Sequence, residues 1–284
     1  MATILYWRCL PSPLFTDPVS TVVVDKNGEL LGAKIANDGQ WRFPYNKEVP
    51  TKFVQAITTF EDKRFYGHPG VDILAIGRAL VKNVQHQSVV SGGSTLSMQV
   101  IRVSRKGKPR TVKEKLIEMA LATRLELAYT KDEILALYAS NAPFGGNVVG
   151  LDAAAWRYYG RSAADLGWAE MVTLAVLPNS PALIHPGRNR DQLKAKRDRL
   201  LERLVDNGVL DSIDAQLAML EDLPQAPKPL PDLAPHLVAK EYLAQKDQPQ
   251  YNKQLVATTI NAGMQQTVNT LDRKSTRLNS SHYS

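Results

Sequence analysis

The stretch "STVVVDKNGELLGAKIA", residues 20–36, sets two short aliphatic runs around Asn27-Gly28, a dipeptide suited to a tight turn, and predicts a β-hairpin. From about residue 49 the period changes. "VPTKFVQAITTFEDKRF" carries apolar side chains at 53, 54, 57 and 60, the i, i+3, i+4, i+7 spacing of one helix face. "VDILAIGRALVKNV", "STLSMQVIRV" and "TVKEKLIEMALATRLELA" read as further helices. "TKDEILALYASN" opens with Thr130-x-x-Glu133, a capping box ahead of an apolar run. "LDAAAWRYYG", "GWAEMVTLAVL" and "DQLKAKRDRLLERLVDNG" complete the series. Strands and helices do not alternate and nothing repeats, so the pattern predicts a mainly α fold with a short N-terminal β-hairpin.

Breaks in this pattern divide the chain. Residues 1–44 form an N-terminal stub and the hairpin, and 45–222 the helical domain. The five prolines of "LPQAPKPLPDLAP" predict an extended linker over 223–255. Residues 256–271 begin something new. The last stretch, 272–284, is expected to be a disordered tail of artificial origin, because "DRKSTRLNSSH" back-translates into a sequence resembling a library adapter. Cys9 is the only cysteine, which excludes an intrachain disulfide. Bulky Trp7 and Arg8 before it make a poor lipoprotein signal. No run of eighteen apolar residues occurs, and the first fifteen residues are too broken for a signal peptide. They read as the stub of an anchor helix encoded upstream.

Charge adds a direction. The formal net charge is +7, and Arg102, Arg105, Lys106, Lys108 and Arg110 follow one another with no acid among them. Such a loop points to an anionic partner: a phosphate, a nucleic acid or a membrane surface. Nothing in the chain resembles an RNA- or DNA-reading motif, so no nucleic-acid partner is expected.

Three features are candidates for chemistry. Glu61 and Asp62 stand where a helix pattern stops, beside Phe65 and Tyr66 and ahead of His68 and Gly70. Gly92-Gly93 precede a helix whose first turn would carry Ser94 and Thr95, and backbone N–H groups at such a start can bind a phosphate. Glu118 lies among Leu116, Ile117, Met119, Ala120 and Leu121, company that suits a carboxylate handling protons near neutrality. Singly, each has an ordinary account: a solvated helix end, a loop–helix junction, a surface glutamate. His68 before Pro69 reads by itself as a turn hydrogen-bonder. Together, two carboxylates, a glycine-rich anion site and a basic loop suit glycosyl transfer from a sugar diphosphate.

The order of these motifs resembles that of the peptidoglycan glycosyltransferase domain of class A penicillin-binding proteins, glycosyltransferase family 51. "EDKRFYGHPGVD" is similar to the first motif and "GGSTLSMQ" to the second. "KEKLIE" stands at the third, which puts its glutamate at Glu118. "KDEILALYASNAPFGG" and "AEMVTLAVLPNSPALIHP" resemble the fourth and fifth. The likeness runs over about residues 45–190. "NAPFGGN" and, after the linker, "VATTINAGMQ" resemble the C subtype, in which residues 256–271 would open a transpeptidase domain that this chain truncates. One departure is plain: the third motif normally begins with arginine, and Glu114 stands there, leaving Lys115 to keep the basic character. Arg102 and Arg110 match basic positions of the family and are expected to compensate.

The resemblance implies a lysozyme-like helical cleft at the outer, periplasmic face of the bacterial cytoplasmic membrane, polymerising lipid II onto a lipid-linked glycan chain. Glu61 would be the general base and Glu118 the second catalytic carboxylate. Asp62, Phe65, His68, Gly92, Gly93, Ser94, Thr95, Gln99, Arg102, Arg110, Lys115 and Asn141 would bind substrate. No cofactor is required, no metal ligand is assigned, and a divalent cation, Mg or Mn, could accompany the diphosphate. The membrane surface and other cell-wall synthesis proteins are the implied partners. The alternative on the same fold is a muramidase or lytic transglycosylase, which needs one protonated glutamic acid and no diphosphate site.

Overall fold

A computed structural model of the chain describes residues 6–7, 9–85, 93–106, 108–109, 111–179, 186–247 and 255–280. The hairpin forms as predicted. Strands β1 (Thr21–Val24) and β2 (Leu30–Lys34) pair antiparallel, Val22 opposite Ala33 and Val23 opposite Gly32. Asp25 shapes the turn: its Oδ1 accepts from the N–H groups of Asn27 at 2.6 Å and Glu29 at 2.9 Å, while Gly28 takes φ 88°, where a side chain would be strained.

The helical body follows in the predicted order. It comprises α1 (Thr51–Glu61), α2 (Ile73–Gln85), α3 (Leu96–Ser104), α4 (Val112–Glu126), α5 (Lys131–Asn141), the short α6 (Leu151–Ala154), α7 (Trp168–Val176), α8 (Arg190–Asp206) and α9 (Ser212–Leu220). Helix α7, buried from Met171 to Val176, lies at the centre and packs on α1 and α8. Phe53, Ala56 and Ile57 of α1 are sealed in the same core. The Thr130–Glu133 capping box closes in both directions, Thr130 N–H to Glu133 Oε2 at 2.7 Å and Glu133 N–H to Thr130 Oγ1 at 3.3 Å. Arg197, wholly buried on α8, donates to the carbonyls of Met219 at 2.9 Å and Glu221 at 2.6 Å at the end of α9, and Lys194 Nζ also reaches the Met219 carbonyl at 3.3 Å. A second small sheet was not legible in the pattern: β3 (Trp41–Arg42), β4 (Pro143–Gly145) and β5 (Val148–Val149) are two or three residues each, too short to show alternation.

Two expectations are corrected. The proline-rich linker is not extended throughout, because Pro235–Asp247 forms α10 and packs on the hairpin. Pro235 stands at the first position of that helix, where proline is tolerated, and no further proline occurs before 249. Val23, Leu31, Ala234 and Val238 make a small separate core there, and the Leu233 N–H donates to the Leu31 carbonyl at 2.8 Å. At the start of the segment expected to open a further domain, β6 (Leu255–Ala257) pairs parallel with β1. Beyond it, α11 (Ala262–Ser280) carries the helix through most of the expected tail, since no Gly or Pro follows Gly263 to interrupt it.

Gly32 permits the α10 contact, for a Cβ there would stand 2.9 Å from Val238 Cγ2 and 3.4 Å from the Pro231 carbonyl oxygen. Gly32→Ala is expected to loosen α10 at a cost of about 1–2 kcal/mol. Limited proteolysis should become faster between residues 235 and 255 while the thermal transition of the helical body stays in place.

Candidate active site

Helix α1 ends at Asp62, whose φ of −154° leaves the helical region while its N–H still donates to the Thr58 carbonyl at 2.9 Å. This stop turns two adjacent carboxylates in different directions. Asp62 points inward and is buried. Both its oxygens lie 3.0 Å from His68 Nε2, and Oδ2 also accepts the Leu96 N–H at 3.0 Å. The Gly70 N–H donates to His68 Nδ1 at 3.2 Å, which leaves the ring proton on Nε2, facing Asp62. Thr95 completes the tie: its hydroxyl donates to the Gly70 carbonyl at 2.6 Å and accepts from the Met98 N–H at 3.2 Å as the N-cap of α3. Gly70 approaches α4 so closely that a Cβ would lie 2.5 Å from the Ala122 carbonyl oxygen.

This changes the reading of several residues. Asp62, Phe65, His68 and Thr95 are all at least nine-tenths buried, and the polar atoms of Asp62, His68 and Thr95 pair with the protein. These pairings fix the site's backbone, while Asp62 and Thr95 also border the cleft that Glu61 enters. The helix begins at Leu96, not at Ser94, because Thr95 caps it. Its Leu96 and Met98 N–H groups are taken by Asp62 and Thr95, so the expected phosphate cradle at this helix start already holds an internal carboxylate. Gly93 serves close packing, a Cβ there meeting Ile76 Cα at 2.9 Å. Gly92 and Arg110 lie outside the described residues.

Glu61 enters a cleft of about 290 Å³ that Asp62, Arg64, Arg78, Ser94, Thr95 and Arg203 also line. Its Oε2 accepts from Gln99 Nε2 at 2.8 Å and its Oε1 from Asn179 Nδ2 at 3.2 Å. Burial pushes its pKa up from the ordinary glutamate value, against the two amide hydrogen bonds and the charges of Lys196 and Arg102. Lys196 Nζ stands behind the second amide, donating to Asn179 Oδ1 at 2.9 Å. The buried phenol of Tyr138 is raised well above its usual pKa by desolvation and by the neighbouring Glu61 charge.

Glu118 is buried on α4, and Arg102 reaches it from α3 in a two-pronged bridge, Nε to Oε1 at 3.0 Å and Nη2 to Oε2 at 2.9 Å. The same Nη2 lies 3.4 Å from Ser94 Oγ. Gln99 and Arg102 are three residues apart, so one face of α3 holds both candidate carboxylates. Arg102, Lys106 and Asn141 share a second cavity, of about 540 Å³. Asn141 is steadied by donating to the Leu137 carbonyl at 2.9 Å. Lys115 is exposed on α4. Arg64 forms an ion pair with Asp72, the residue whose Oδ1 accepts the Ala75 N–H at the start of α2, and Lys63 donates to Asn207 Oδ1 at 3.2 Å.

Asn179, Lys196 and Arg203 carried no role in the sequence reading. Asn179 was visible within "LPNSP". Lys196 and Arg203 were readable only as two basic residues seven apart on α8, a spacing that puts them on one face. That face meets α1, where Arg203 donates to the Thr59 carbonyl.

A transglycosylase family profile matches residues 28–205. Penicillin-binding protein 1C of Escherichia coli is 36% identical over 256 residues, covering 90% of this chain and 32% of that protein. Penicillin-binding protein 4 of Bacillus subtilis is 32% identical over 206 residues, covering 72% of this chain and 33% of that one. Penicillin-binding protein 1A of Pseudomonas aeruginosa is 35% identical over 176 residues, 62% of this chain and 21% of its own. The chain spans about a third of the length of the first two relatives.

Proposed function

Since the chain belongs to the transglycosylase family, we propose that it is a peptidoglycan glycosyltransferase that polymerises lipid II into glycan strands and releases undecaprenyl diphosphate with inversion. The observation that carries this reading is the single α3 face from which Gln99 holds Glu61 and Arg102 holds Glu118. Glu61 takes the proton from the 4-hydroxyl of the N-acetylglucosamine of an incoming lipid II. The freed oxygen attacks the anomeric carbon of the lipid-linked glycan, and the bond to the diphosphate breaks with the electron pair leaving on phosphate. A base whose pKa is raised by burial accepts that proton more readily than a solvated glutamate. Glu118 orients Arg102, and Arg102, Lys106 and Lys115 supply positive charge where the leaving group gathers negative charge.

A divalent cation, Mg or Mn, enters the proposal as a counter-ion brought by the diphosphate. Both Glu118 oxygens accept from Arg102, and among the described residues no three His, Cys, Asp or Glu side chains converge to form a cage. The proposed location is the outer face of the cytoplasmic membrane, where lipid II and other cell-wall synthesis proteins are met. Among the described residues no helix is long and apolar enough to cross a bilayer. Val112 and Leu116, exposed immediately after the basic loop, with Ile73, Leu74 and Val81 of α2, support peripheral contact with lipid.

The test is conversion of lipid II by the purified chain in detergent. Glycan polymer and diphosphate lipid should appear together, and Arg102→Gln should lower kcat/KM on the order of tenfold to a hundredfold. A chain that shortens preformed glycan and makes none from lipid II overturns the reading in favour of the lytic alternative.

A further inference from the structure

Glu114, the residue at odds with the third motif, stands one helical turn before Glu118 and is the third residue of α4. An acid there has an ordinary use, closing a capping box with the N-cap residue, as Glu133 does with Thr130. Glu114 does not use it. Thr111 Oγ1 accepts the Glu114 N–H at 3.1 Å, but the Thr111 N–H donates to the Pro109 carbonyl at 2.9 Å, and the Glu114 carboxylate turns across to α3. There its Oε1 accepts from Arg105 Nε at 2.5 Å. Arg105 is the residue that ends α3, one turn beyond Arg102, and it also feels the charge of Glu118.

Three cations of the basic loop are therefore paired within their own chain. Arg102 faces Glu118, Arg105 faces Glu114, and Lys106 faces Asp17 from the N-terminal segment. The Arg105–Glu114 pair is reachable from solvent, its side chains 28% and 13% exposed, so an arriving anion competes with the carboxylate for the guanidinium. A carboxylate carries one charge and two acceptor oxygens; a diphosphate carries more of both.

We propose that Glu114 sets the donor affinity of this site, holding the Arg105 guanidinium where the diphosphate docks and yielding it only to an anion that outcompetes a carboxylate. The cation that the third motif keeps on α4 is supplied here from the end of α3, in the custody of the residue that replaced it. The selectivity that follows favours a lipid diphosphate over a lipid monophosphate. This rests on the reading that the loop after α3 takes the diphosphate.

The experiment is competition of undecaprenyl diphosphate, and separately undecaprenyl monophosphate, against a fluorescent lipid II on the purified chain in detergent. Glu114→Gln should tighten diphosphate binding about two- to fivefold, the range expected for releasing a surface ion pair, and tighten monophosphate binding at least as much. Arg105→Gln should weaken the diphosphate, and adding Glu114→Gln to it should give no gain, because the two act as one pair. If Glu114→Gln leaves the affinity unchanged or weaker while Arg102→Gln still weakens it, the proposal is overturned and the diphosphate site stands. If Arg102→Gln and Arg105→Gln both bind as wild type, the site reading itself fails, and the proposal with it.

Discussion

Glu61→Gln is expected to stop glycan polymerisation and, at neutral pH, to leave the protein more stable than wild type. The first effect follows from the proposed role: with no base on the acceptor hydroxyl, the rate should fall on the order of a hundredfold to ten-thousandfold. The second follows from burial. The Glu61 pKa is raised in the fold, so across the interval between the ordinary glutamate range and that raised value the folded chain keeps a proton the unfolded chain has released. Stability therefore declines as pH rises through that interval, and the ionised carboxylate is carried at a cost above it. Glutamine stands in for the protonated acid. It still accepts from Asn179, and the Gln99 amide can rotate to receive its N–H. Denaturation at a series of pH values should show the variant and wild type converging as pH falls and separating as it rises, with wild type the weaker. The acid limb of the wild-type rate profile should lie above the ordinary glutamate range for the same reason. A glutamine variant that polymerises lipid II at the wild-type rate would remove Glu61 from the base role. One that is less stable than wild type at neutral pH would contradict the desolvation account.

What the sequence made legible were elements whose signals are local. The Asn27-Gly28 turn, the Thr130–Glu133 box and the period of α1 depend on residues within one or two turns of each other, and each appears where the pattern puts it. The positions of Glu61 and Glu118 were also readable, through motif order. Their surroundings were not. Asp62 and Glu61 are neighbours in sequence, and nothing local says that one is tied to His68 and the Leu96 N–H while the other is held by Gln99; that division is made by α3, more than thirty residues later. The same holds for the basic loop, whose Arg102, Arg105 and Lys106 read as unopposed because their carboxylate partners, Glu118, Glu114 and Asp17, come from outside the run. Proline content misled over 223–255 for a related reason: prolines mark where a helix cannot continue, and say little about the thirteen residues between Pro235 and Pro249.

Asp62→Ala should be the most damaging single change to the fold around the site. Asp62 accepts from two buried donors, His68 Nε2 and the Leu96 N–H, and alanine leaves both without a partner. At about 1–3 kcal/mol for each buried group left unsatisfied, the loss is about 2–6 kcal/mol, a large part of a typical domain's stability. The damage should not stay local. Leu96 begins α3, Thr95 caps it and binds the Gly70 carbonyl, and Gln99 and Arg102 are delivered to Glu61 and Glu118 by the same helix. Activity should consequently fall by more than the folded fraction does, since the molecules still folded hold α3 less firmly. Asp62→Asn separates the two effects. Its carbonyl oxygen at the Oδ2 position can still accept from both donors, but its NH2 then stands where Oδ1 was, 3.0 Å from His68 Nε2 and its proton. Urea denaturation should therefore place it between wild type and alanine, with His68 the partner that gives way. If Asp62→Ala unfolds within about 1 kcal/mol of wild type, the Asp62–His68–Leu96 junction is not what anchors α3. Gln99 and Arg102 would then owe their placement to the apolar seam of α3 against α4 and α5 alone.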